Sequence, residues 1–167
     1  MKRLVSSLVV VLFAASCNQG PGSVGKRTGE TDVVGVESED PVMNAAIKIA
    51  TSTLPSFKAL LSAPPAGASG FAVKAAFPSG SNSQEHIWLI NPTFSGGIVS
   101  GVVNNEPVDV PSIKLGQQVS APEAHVSDWL YLQDGVLHGG FTLRVLLERM
   151  SPEERARMVK NMGVRLE

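Results

Sequence analysis

The sequence predicts an α+β domain, and three observations predict it. Apolar residues recur at helical spacing just after Asp40-Pro41 and again from Leu143 onward. Between these stretches the apolar period falls to two, in short runs separated by Gly, Pro and Asn. The connections are brief, so sequential strands pair antiparallel, and five or six of them curl into a small barrel-like sheet. The 167 residues, 43% of them hydrophobic, have room for one such domain, assigned to residues 41–167 with N-terminal helices before the sheet and two helices after it.

Two segments of another kind precede it. Met1-Lys2-Arg3 is a positive n-region, residues 4–13 are apolar except for Ser6 and Ser7, and Ala14-Ala15-Ser16 supplies small residues ahead of Cys17. This is the three-part build of an export signal. Its apolar run is shorter than the roughly 20 residues a membrane-spanning helix needs. Small residues ending at the sole Cys resemble the bacterial lipobox, in which the thiol is acylated and becomes the new N-terminus, although Ala14 stands where Leu is commoner. The alternative is ordinary cleavage near Ala15 or Ser16, leaving Cys17 a free thiol. Acylation would anchor Cys17 in the membrane, each buried methylene adding about 0.8 kcal/mol. By the same resemblance Asn18, a residue other than Asp, implies the outer membrane of a bacterial envelope, facing the periplasm. Residues 18–40, rich in Gly, Ser, Thr, Glu and Asp, read as a flexible tether that lacks the apolar surface to offset its ordering entropy. Val33, Val34 and Val36 could instead add an edge strand.

Charge and cysteine content exclude several functions. The whole chain carries 14 basic and 15 acidic side chains; loss of Lys2 and Arg3 with the signal leaves 12 basic groups, a net charge of −3. No broad cationic face is left for a general nucleic-acid binder. Attachment to anionic lipid falls to the anchor. One cysteine forbids an intrachain disulfide and a multi-cysteine zinc site.

Within the domain, Asp40 is an N-cap and Pro41 suits the first helical position. Met43, Ala46, Ile47, Ala50 and Leu54 form one apolar stripe; Pro55 interrupts or kinks it, and Phe57, Leu60 and Leu61 continue a second short helical stretch. Residues 71–77 alternate as a strand, and residues 85–90 form another with His86, Trp88 and Ile90 on one face. Gly96-Gly97 turns the chain into a strand at 98–103. Residues 104–111 form a proline-bounded loop, and residues 113–119 a strand bent at Gly116. A strand at 129–133 returns through Asp134-Gly135, a pair suited to type I′ geometry, into residues 136–138. Thr142 can cap a helix over 143–150 with Leu143, Leu146, Leu147 and Met150 inward. Ser151-Pro152-Glu153-Glu154 is a capping box that opens a last helix, and Gly163 suits its end.

Local spacing carries no catalytic signature. His86, His125 and His138 fall in separate segments, with no HxxxH or HExxH pattern, and Glu85 and His86 point to opposite faces of one strand. No GxSxG elbow is present, and His125, Ser127 and Asp128 are too close in sequence to approach one another as a relay. Asp128 reads as a capping or turning residue. Trp88, Trp129 and Tyr131 are either a stacking surface or core with a polar edge. Arg144 sits at a helix start, where the macrodipole disfavours a cation, and a carboxylate partner such as Asp128 or Glu106 would explain it. The candidate binding residues are therefore Glu85, His86, Trp88, Glu106, Asp128, Trp129 and Arg144, with no catalytic residue, metal ligand or cofactor assigned.

Leu54-Pro55-x-Phe57, Gly70-Phe71-Ala72-x-Lys74, Glu85-His86-Ile87-Trp88, Asn105-Glu106-Pro107, Lys114-x-Gly116, Ser127-Asp128-Trp129 and Gly139-Gly140-Phe141-Thr142-x-Arg144 occur in an order that resembles the YegJ-like DUF2314 family. The resemblance covers about residues 41–155 and implies one α+β domain; it brings no activity, ligand or catalytic residue. Phe141 stands where that family's pattern is expected to carry Tyr, so no phenol hydroxyl is carried over. The sequence thus predicts a non-enzymatic binding module for an envelope protein, peptide or cell-wall component, held at the membrane through Cys17. Two rivals stay open: a periplasmic hydrolase with Glu85, His86, Glu106, Asp128 and Arg144 in one cleft, and an immunity-like protein that neutralises a toxin.

Overall fold

The structure, a computed structural model, describes residues 40–80 and 83–166; the export signal, Cys17, nearly all of the tether and the valine run at 33–36 lie outside them. Among the described residues no helix is long and apolar enough to cross a membrane.

Helix α1 (Pro41–Ser62) starts where expected: the Asp40 carboxylate accepts from Val42 N and Met43 N at 3.2 and 3.1 Å. It runs unbroken through Pro55, so the two predicted helical stretches are one. The proline deprives only the Thr51 carbonyl of its helical donor, and both residues are exposed, so that carbonyl can turn to water. The buried stripe is Met43, Ala46, Ala50, Leu54 and Phe57.

Six strands follow: β1 (Ala68–Ser79), β2 (Ser83–Ser95), β3 (Ile98–Val103), β4 (Gln118–Pro122), β5 (Val126–Gln133) and β6 (Val136–Gly139). All pairings are antiparallel, in the order β4-β3-β2-β1-β5-β6. The sheet is curled enough for β4 to touch β1, three places away in that order. It nevertheless stays open, because β4 and β6 do not pair. The outer side of β6 is met by the C-terminal residues, where Leu137 N donates to Arg165 O and Arg165 N to Gly135 O, each at 2.8 Å.

Two expected elements shift. The strand predicted over 113–119 begins only at Gln118. Ahead of it lie two consecutive turns (Ile113 N to Val110 O, Gln117 N to Lys114 O, both 3.0 Å), with Leu115 exposed and Gly116 at φ +79°. Helix α2 (Phe141–Arg149) starts before Thr142, behind a glycine that offers no capping side chain. Its fully buried residues are Thr142, Val145 and Leu147. Leu143 and Leu146 pack, partly buried, against core clusters as predicted, Val145 joins them, and Met150 lies just past the helix end. Helix α3 (Pro152–Met162) has the predicted capping box and ends at left-handed Gly163.

The sheet separates two apolar layers. On its inner face α1 packs Ala50, Leu54 and Phe57 against Val73, Ile87, Leu89, Val99 and Val103, each fully buried aliphatic chain adding about 1.5–3 kcal/mol. Phe57 and Trp129 stack there with ring centres 5.1 Å apart. On the outer face Leu132 and Leu137 meet Met162 and Val164 from the C-terminal segment. Helix α2 bridges the layers, giving Val145 and Phe141 to the α1 side and Leu143 to the other.

Candidate functional site

The outer face of β1, β2 and β5 carries three rows of side chains, fixed by strand register. Ala72 pairs with Ile90 and Leu130; Lys74 pairs with Trp88 and Asp128; Ala76 pairs with His86. Alternation puts these residues on one face, successive rows about 6.6 Å apart along the strands. The first row is apolar, the second polar and aromatic, and the third carries the imidazole.

The second row centres on Lys74, the one charged residue of β1. Small residues, Ala72 and Ala76, flank it on its own face, which leaves room for its stem. Its ammonium lies 5.7 Å from the centre of the Trp88 ring and 3.4 Å from Thr142 Oγ1. Burial pushes the Lys74 pKa down, and the negative charge of Asp128 partly restores it. Asp128 does not pair directly with Lys74, because its oxygens are already taken. Oδ1 accepts from Trp129 N at 2.8 Å and Phe141 N at 3.1 Å; Oδ2 accepts from Thr142 N at 2.8 Å and Thr142 Oγ1 at 2.6 Å. The carboxylate thus caps α2 from a neighbouring strand. Burial pushes its pKa up, against the lowering effect of those hydrogen bonds and of Lys74.

In the third row His86 Nδ1 lies 2.7 Å from Ser127 Oγ, and Ser127 Oγ also reaches Lys74 O at 3.3 Å. A β-bulge between Lys74 and Ala75 opposite β5 turns Ser127 toward this face. If the hydroxyl donates to Lys74 O, the imidazole carries its proton on Nδ1 and leaves Nε2 an acceptor. Burial, followed by the charge of Lys74, lowers the His86 pKa to about 4. At neutral pH the ring is therefore uncharged and a weak base. The Ser127 hydroxyl belongs to a buried residue.

Beside the first row is a narrow apolar cleft of about 50 Å³. Ala72, Trp88, Ile90, Leu130 and Leu143 are among its walls, with Met162 and Val164 at the C-terminal side. Trp88 is shared between this cleft and the Lys74 row. A wider, solvent-open depression between α2 and α3, with Met150, Arg155, Val159 and Leu166 in its walls, has no residue in common with the cluster.

Of the seven candidates from sequence, His86, Trp88 and Asp128 come together here. Glu85 points the other way, as expected, and is buried; its carboxylate accepts from Val108 N and Asp109 N at 2.8 Å each and holds the 104–111 loop. Glu106 is exposed in that loop. Trp129 belongs to the core, its indole N–H donating to Ala50 O at 3.0 Å and Thr53 Oγ1 at 3.1 Å. Arg144 has neither expected carboxylate as partner: Nε donates to Gly139 O at 2.9 Å and an Nη to Leu137 O at 2.7 Å, so backbone carbonyls satisfy the cation. Lys74, Ser127 and Thr142 were not among the seven, although all stand in the quoted motifs. Among the described residues, no three His, Cys, Asp or Glu side chains are placed to share a metal ion.

The fold and this face define a small α+β domain: a curled open antiparallel sheet, one long helix inside, and a lysine-centred polar row outside. The chain belongs to a family of uncharacterized proteins conserved in bacteria, DUF2314, whose model matches residues 40–166. It is 35% identical over 94 residues to the uncharacterized protein YegJ of Escherichia coli strain K12, covering 54% of this chain and 61% of that one. It is 37% identical over 71 residues to a Neisseria meningitidis serogroup B protein named "Putative ankyrin repeat protein", covering 42% of this chain and 28% of that protein. The chain therefore spans less than two thirds of either relative. No solved structure matches it.

Proposed function

We propose that this is a lipid-anchored protein of the bacterial envelope whose domain binds a protein, peptide or cell-wall component and performs no chemistry on it. The observation that supports this reading is the side-by-side placement of a half-buried Trp88, an apolar cleft and the Lys74 ammonium on one sheet face. Concave apolar sites with a few convergent polar groups are where small ligands and peptide side chains bind. The acyl group on Cys17 would hold the domain at the outer membrane, and residues 18–40 would give it reach.

The rival reading, a periplasmic hydrolase with Glu85, His86, Glu106, Asp128 and Arg144 in one cleft, loses Glu85 to the 104–111 loop and Arg144 to backbone carbonyls, which leaves it the Ser127–His86 contact. It is disfavoured by a buried hydroxyl, a base weakened to a pKa of about 4, and an Asp128 carboxylate spent on α2. Two measurements test the proposal. Mass spectrometry of the native polypeptide is expected to find the chain beginning at an acylated Cys17, and a C17S variant is expected to leave the membrane fraction. Pull-down from envelope extract with the acylated chain is expected to retain a partner that a Trp88→Ala variant loses. Intact Met1 with an unmodified Cys17 rules out the anchor, and equal capture by both variants rules out this face.

A further inference from the structure

We propose that the outer-face site recognises a carboxylate carried next to a small branched aliphatic group, as at the C-terminus of a peptide ending in an aliphatic residue. This rests on the binding-module reading and names its ligand class. The polar half of the argument is the unused capacity of Lys74. An ammonium has three N–H donors, yet the hydrogen bond found for Lys74 is a single long one, to Thr142 Oγ1 at 3.4 Å, and no carboxylate among the described residues lies within ion-pair distance. The nearby Asp128 cannot supply one, since four donors already fill its two oxygens. Such a cation, beside an aromatic face and partly removed from water, is matched best by an incoming anion.

The apolar half is the cleft one row away. Ala72, Ile90 and Leu130 form its row, and Trp88 belongs to both cleft and cation. Cleft and ammonium both meet Trp88 on one sheet face, so one ligand carrying a carboxylate beside an aliphatic side chain can reach both. The volume of about 50 Å³ takes a few waters or one branched side chain, and is too small for a sugar ring or an acyl tail.

The full chain in detergent micelles, titrated with N-acetyl-leucine and with N-acetyl-leucinamide, distinguishes the terms. Methyl signals of Leu130 and Leu132 and the Trp88 indole report binding by NMR. The acid is expected to shift these signals with at least tenfold higher affinity than the amide. K74M should reduce the acid to the level of the amide, and K74R should keep the preference. Equal affinity for acid and amide, or an unchanged preference in K74M, overturns the carboxylate assignment even if Trp88-dependent capture from envelope extract persists. Absence of any shift with either compound overturns it as well, while loss of that capture is the separate failure of the binding reading.

Discussion

Asp128 and Thr142 are fourteen residues apart in sequence and joined twice, the carboxylate Oδ2 accepting from the threonine N–H at 2.8 Å and from its hydroxyl at 2.6 Å. The first turn of α2 has no cap of its own, because Gly140 precedes it, and a strand residue does the work from outside. An Asp128→Ala variant would leave Phe141 N and Thr142 N unpaired beside an unneutralised Lys74. We expect it to lose about 3–5 kcal/mol of unfolding free energy, as when one member of a buried charged network is removed. Thr142→Val, which removes one hydroxyl, should lose about 1–2 kcal/mol. Urea unfolding measures both; a loss below about 1 kcal/mol for the alanine variant would mean the cap contributes little.

His86 predicts a pH dependence whose sign follows from its surroundings. An unfolded histidine takes its proton near pH 6.5, whereas burial holds the folded ring neutral down to about 4. Between those values the unfolded chain binds more protons, so acidification favours it, and stability falls as pH drops through that window. The loss is at most about 3 kcal/mol, less to the extent that water reaches the ring. Asp128 acts oppositely: its raised pKa makes the folded state the better proton acceptor in acid. The comparison of wild type with His86→Gln isolates the imidazole. The variant should gain on the wild type from pH 7.5 to 4; parallel stability curves would falsify the assignment.

How much of this was legible in the sequence depends on whether the deciding partner was near in the chain. The Asp40-Pro41 start, the Asp134-Gly135 hairpin (φ +51° and +79°) and the Ser151 capping box are local devices, and each stands where the residues alone predict it. The opposite facing of Glu85 and His86 follows from alternation, and so was legible too. Asp128 reads as a capping residue, but the helix it caps, and the partners of Ser127 and Arg144, were not legible. Ser127 meets a histidine 41 residues away only because a bulge turns it. The carboxylate expected for Arg144 proved to be two carbonyls, which every residue carries and no pattern reveals. Lys74 did leave a signal: a lone charge in an apolar strand, with alanine two residues to either side, marks a space made for it.

The two tryptophans should separate stability from binding. Trp129 is in the core, stacked on Phe57 and hydrogen-bonded to α1 at Ala50 O and Thr53 Oγ1. Trp129→Phe leaves those acceptors without the indole and should cost about 1–3 kcal/mol, with little change in ligand capture once folded. Trp88 is half-buried on the outer face, its backbone N–H donating to Asn105 Oδ1 at 2.7 Å, a bond that side-chain truncation spares. Trp88→Ala should unfold at a urea concentration closer to wild type than Trp129→Phe does, and lose capture. The reverse pattern would move the site to the inner face.

Gly139 gives the most severe single-atom prediction. Its φ of +72° lies in the region that side chains disfavour, and a β-carbon there would collide with the Trp129 carbonyl and come within 2.6 Å of the indole ring. Neither neighbour can yield: the backbone is held by Gly140 N donating to Trp129 O at 2.8 Å, and the ring by the Phe57 stack and the bonds to α1. Gly139→Ala should therefore cost more than about 3 kcal/mol, combining overpacking with backbone strain. Gly96, at φ +57° with nothing within 4 Å of its added carbon, isolates the strain, and Gly96→Ala should cost only about 1–2 kcal/mol. If thermal unfolding shows the two substitutions to be equally costly, the close approach of β6 to Trp129 is looser than the structure has it, and the α2 start that depends on this corner is held by Asp128 alone.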